Sequence, residues 1–162
     1  MYRWVVFLHV LSAIVFFMAH GASAVMSFQL KREKSLERIR AILDLSNAAL
    51  PTAYFAVMGL LLAGIAAGIM GNWFSRGWIW AALVLLVALW FGMHAYAFKY
   101  FTPIRKAVGL PYHDPKGDQP GGTPASDEEI QAAIQASNPM LLGGVSLTLI
   151  GLILWLMMFK PF

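Results

Sequence analysis

The stretch FLHVLSAIVFFMAHG, residues 7–21, places two histidines, His9 and His20, in a run otherwise built almost wholly from apolar and small residues. A third, His94, stands in a second such run, LWFGMHAYAF. Imidazole is the side chain that most readily ligates haem iron, and ionisable groups inside a membrane face a bundle interior or a functional site, not lipid. On a helix each residue turns 100° and rises about 1.5 Å, so His9 and His20 come within about 20° of one another, roughly 16 Å apart along the axis. They share a face.

The elements that must carry these residues are four apolar runs, about 4–29, 49–70, 77–99 and 139–159. Each reaches the roughly 20 residues that a membrane-spanning helix needs. Of the 162 residues 59% are hydrophobic and 12% charged, against about 25% charged in a soluble domain. The expected fold is an all-α membrane protein, a four-helix antiparallel transmembrane bundle forming one domain over residues 1–162. Arg3, the first apolar run and ASA at 22–24 resemble a secretory leader. The run continues through Val25, Met26 and Phe28, however, and is expected to stay as a span.

The connections are 30–48 and 100–138, with GNWFSRG as a tight turn between them that carries an interfacial Trp73. In LKREKSLERIRAILDLSN, Leu36, Ile39, Ile42 and Leu43 form an apolar stripe at helical spacing, which predicts an amphipathic helix lying on the membrane surface. The long connection is rich in Pro, Gly and Asp, which favour turns. Ser126 and Glu129 make a capping box that opens a short helix with Ile130 and Ile134 on one side. Asn138-Pro139 predicts the N-cap and first position of the fourth span. Gly64 and Gly68 in GIAAG, extended by Gly59 and Gly71, predict close helix approach.

Nine Lys and Arg fall in the two connections or at the edge of one: Lys31, Arg32, Lys34, Arg38, Arg40, Lys99 at the end of the third span, Arg105, Lys106 and Lys116. Three, Arg3, Arg76 and Lys160, fall on the other side. The asymmetry predicts both termini outside and both connections in the cytoplasm of a bacterial inner membrane. It also accounts for the net charge of +4 without nucleic acid as a partner. The expected partners are the lipid bilayer and other membrane subunits or further copies of the chain.

With that topology the first and third spans both run inward, and His20 and His94 fall at similar depth on two helices. This is the arrangement of a bis-histidine b-type haem. Phe17, Ala13 and Ala24 around His20, and Trp90, Phe91, Ala97 and Phe98 around His94, supply aromatic walls and gaps. Lys31, Arg32, Lys99, Arg105 and Lys106 lie where propionates would be paired. Two other readings stand beside it. In one the protein is a cofactor-free accessory subunit, and its histidines bridge helices through carbonyls, Ser12, Ser23 or Tyr96. In the other it handles copper, with Met18, Met26, Met93 and Met140 as soft donors. The absence of cysteine removes thiolate metal sites and covalent haem attachment. No Ser–His–acid set or phosphate-binding glycine loop is present.

The opening FLHVLSAIVFFMAHG, the basic end of the first helix and the apolar hairpin after it resemble a group of bacterial proteins known only as predicted integral membrane proteins. More distantly, residues 4–106 are similar to copper-resistance D proteins and to the HemJ-type membrane protoporphyrinogen oxidases. The most transferable motif is Leu8-His9. A histidine at that place is implicated in haem binding in the haem-biosynthesis relatives, so the resemblance implies His9 as a ligand. The second haem-related residue of those enzymes, a lysine, has no match within the second or third span before Lys99.

Overall fold

The computed structural model describes residues 1–162. Four of its helical stretches are long and apolar enough to cross a membrane. Helix α1 spans Tyr2–Leu30 and α2 spans Leu36–Met70. A short 3₁₀ turn, Trp73–Ser75, leads into α3, Gly77–Tyr96. The chain then stays helical through a π turn, Ala97–Phe101, into α4, Thr102–Ala107. A two-stranded hairpin follows, β1 Tyr112–Asp114 against β2 Gly117–Gln119. Helix α5, Asp127–Ala136, and α6, Pro139–Phe159, complete the order.

Residues 36–48 do not form a separate helix on the membrane surface. They are the first turns of α2, which runs unbroken through Pro51. Nothing between Asp44 and Leu50 stops a helix, and spanning helices tolerate proline because neighbouring groups satisfy the freed carbonyl. At 35 residues the helix is about 52 Å long, well beyond a hydrocarbon core of about 30 Å. The excess stands out as a post. The stripe is also satisfied differently from expectation, by protein instead of lipid. Ile39 and Leu43 are buried with Leu30, Ile104, Val108, Ile130 and Ile134 in one aliphatic cluster, each at most 2% exposed.

That cluster makes a cap over one end of the bundle, and side chains tie down the loops around it. Arg105 donates from Nε to the Pro111 carbonyl and from Nη1 to the Leu43 carbonyl, and pairs with Asp44 at 3.2 Å. Arg40 Nε donates to the Val108 carbonyl at 2.8 Å. Lys31 Nζ donates to the Gln135 carbonyl at 2.8 Å, a cation at the C-terminus of α5 where the helix dipole favours it. The capping box forms as the sequence implies, with Ser126 Oγ accepting from Glu129 N and Glu129 accepting from Ser126 N. Asn138 likewise caps α6 by accepting from Leu141 N, with Pro139 in the first turn.

Below the cap, α1 packs antiparallel along α2, and α3 along α6. At mid-height Phe16, Ala56, Val57, Leu89 and Ile150 bring all four spanning helices into one cluster. The opposite end, here the tail end, carries both termini and the 71–76 turn. Its small cluster is Trp78, Ile79, Ala82 and Leu156. Around the circumference large apolar side chains such as Phe55, Val84, Phe91 and Leu147 are exposed, as lipid contact requires.

Candidate functional site

The small residues of α2 decide where α1 can lie. A side chain at Gly59 would meet Ser12 Oγ at 2.7 Å, and one at Gly64 would meet the His9 ring at 3.0 Å. These two glycines seat α1. Gly68 instead receives Phe74 and Ile79, so the small-residue surface of α2 is used within the chain.

Against Gly64 the ring of His9 is held in one orientation. Its Nδ1–H donates to the Leu60 carbonyl at 2.8 Å. That bond selects the tautomer with a lone pair on Nε2, and Nε2 meets no protein partner. His9 lines a cavity of about 390 Å³ at the tail end, between all four spanning helices. Of its 26 lining residues 23 are hydrophobic, the others being His9, Gly64 and Lys160. Phe16, Phe17, Trp73, Phe74 and Trp78 supply aromatic wall, while Ala13, Ala67 and Ala82 leave the space. Its size falls in the range of small-molecule sites, roughly 300–1,000 Å³.

His20 and His94 lie towards the capped end and line no part of this cavity. His94 is on α3, with both ring nitrogens committed. Nδ1–H donates to the Trp90 carbonyl at 2.9 Å, and Nε2 accepts from the Tyr54 hydroxyl of α2 at 3.0 Å. Trp90 packs against the same ring, with centroids 4.6 Å apart. His20 is half-buried on α1, stacked on Phe16 at 6.0 Å, and its Nδ1 is buried without a partner. No hydrogen bond or ring contact joins His20 to His94. Ligation at His94 Nε2 would have to displace Tyr54. His113, in the hairpin, bonds Asp118 at 2.8 Å in an exposed setting.

No group of three or more His, Asp or Glu side chains gathers as an ion site. The methionines named for copper are not among the cavity residues, although Met157 and Met158 are. Sequence reasoning overlooked Lys160, the other ionisable lining group. Its ammonium lies over Trp73, 4.4 Å from the ring centroid, and near Trp78 at 5.7 Å. The available signal was the pair of Trp73 in the turn and Trp78 at the start of α3, which must face the end of the last span. No family model, curated protein or solved structure matches this chain.

Proposed function

We propose that this multi-pass membrane protein holds a b-type haem in the tail-end cavity, with His9 as axial ligand, and serves electron transfer or haem handling in a redox assembly. One observation carries the reading: the Nδ1–H bond of His9 to the Leu60 carbonyl. Histidines that bind metals almost always make this outer bond, which fixes the ring and raises the basicity of the other nitrogen. The remaining lone pair belongs to a residue on the wall of an apolar, aromatic-lined space. The resemblance to the HemJ-type proteins nominates the same histidine. Bound haem would supply one-electron chemistry; the chain's part is to orient the ligand ring, exclude water and set the polarity around it. In this reading the capped end faces the cytoplasm of a bacterial inner membrane, because nine of the twelve Lys and Arg lie there.

A bis-histidine site between His20 and His94 is the second reading, favoured by the orphaned Nδ1 of His20. It requires His94 to exchange Tyr54 for iron. Absorption spectra of the detergent-purified protein, oxidised and then reduced with dithionite, separate the two. The first reading expects a Soret band lost in His9→Ala and kept in His94→Ala, and the second expects the reverse. A flat spectrum at full haem supply overturns both. Co-purification with a larger complex would then point to the accessory subunit, and copper in the purified protein to the copper reading.

A further inference from the structure

The three cations of the tail end are Arg3, Arg76 and Lys160, and no acidic side chain accompanies them. All eight Asp and Glu residues lie between Glu33 and Glu129, in the connections at the capped end. Of these cations only Lys160 lines the cavity. A lysine at the end of a spanning helix ordinarily extends outward to water. Lys160 is exposed as well, and it follows the last turn of α6 in a left-handed conformation, φ 46° and ψ 57°, its N–H on the Leu156 carbonyl. Its ammonium lies over the two indoles. It forms no ion pair within the chain, whose salt bridges are Arg38–Glu33, Arg105–Asp44 and His113–Asp118.

An aromatic face attracts an ammonium without using its N–H donors, so all three remain available. Lys160 is exposed at the mouth of this space and is the one charged group on its wall, so an anion entering there meets the ammonium first. No Asp or Glu side chain of the tail end supplies that anion. A single ammonium with no accompanying glycine-rich loop suits one carboxylate and not a polyphosphate. The remaining wall is apolar and continues to His9, which lies seven residues beyond the start of α1, or about 10 Å into the helix.

We propose that the tail-end cavity binds a carboxylate-bearing amphiphile, with its acid group on Lys160 between Trp73 and Trp78 and its apolar body extending towards His9. The inference deepens the haem reading and rests on the same cavity being the ligand site. A haem propionate and a long-chain carboxylic acid offer the same chemistry to Lys160, and the experiment distinguishes them.

Full-length protein in detergent is titrated with haem and, separately, with haem dimethyl ester, whose acid groups are blocked. Wild type, Lys160→Gln and Lys160→Arg are compared, with thermal unfolding monitored to confirm that each is folded. The expected result is haem affinity weakened roughly tenfold in Lys160→Gln, as for loss of a charge-assisted hydrogen bond, and restored in Lys160→Arg. The ester should bind wild type and Lys160→Gln alike. Equal haem affinity in all three proteins overturns the carboxylate proposal while leaving haem binding intact.

If haem does not bind at all, the haem reading fails and a second arm decides this one. Dibrominated stearate should quench tryptophan fluorescence in wild type more than the dibrominated alcohol of equal chain length does. That excess should vanish in Lys160→Gln. Quenching that is the same for acid and alcohol overturns the proposal.

Discussion

The two ends of the bundle differ in what fills them. At the capped end seven aliphatic side chains close on one another, and arginine, lysine and glutamine side chains tie the loop carbonyls around them. At the tail end aromatic rings and alanines line a partly open space, with one imidazole and one unpaired ammonium on its wall. The cap reaches beyond the apolar spans, where expulsion of water drives close packing. Between helices in lipid that drive is absent, because the chains outside are as apolar as the side chains inside. A cavity is therefore less costly at the tail end than an equal void would be in the cap. The same chain packs as a soluble-type core at one end and leaves an apolar space at the other.

Truncations test this contrast most severely. Ile134→Ala in the cap should cost about 2–5 kcal/mol, the usual loss for emptying a closed aliphatic site. Leu86→Ala on the cavity wall should cost less than half as much, since that side chain already borders open space. Denaturant unfolding of the detergent-solubilised protein measures both, and equal losses would break the comparison. Next in size is Gly64→Ala. The added methyl meets the His9 ring at 3.0 Å, so overpacking should cost about 1–3 kcal/mol and loosen the bond to Leu60. Gly92→Ala, with nothing within 4 Å of the new carbon, should be tolerated in the same assay.

Ser126→Ala should cost about 1 kcal/mol through loss of the capping box. Hydrogen exchange should show the loss in α5 and leave residues 2–20 unchanged; spread into the tail end would mean that the two ends are coupled. The smallest effect is expected at Glu33, just outside α1. Backbone N–H groups of Ser35 and Lys34 donate to its carboxylate and hold its pKa below the ordinary glutamate range. A lowered folded-state pKa means that the contribution is complete above the unfolded pKa and is lost as pH falls through the folded one. Stability should thus decline slightly in that acid window, and Glu33→Gln should flatten the decline.

Much of the fold was legible in the residues. The four spans follow from the length of their apolar runs. The caps at Ser126 and Asn138 follow from local hydrogen-bonding chemistry, and both formed as expected. The post made by the start of α2 was not legible as such. Its stripe suits a membrane surface and a protein cap equally well, and only contact with Leu30, Ile104 and α5 distinguished them. The histidines show the same division. Their shared face and their depth follow from helix geometry, whereas their partners do not. Rotation of α1 by one residue, about 100°, or one step of register between α1 and α2 would give His9 a different carbonyl.

By itself the sequence determined that this protein crosses a membrane four times, where its basic residues fall and how its helices begin, because those properties depend on neighbours a few residues apart. The tertiary structure decided that His9 rests on Gly64 and bonds Leu60, that Tyr54 occupies His94 and that Lys160 lies over two indoles beside a cavity. Those facts depend on how helices distant in sequence rotate and slide against one another, and that is set by the packing of every side chain between them.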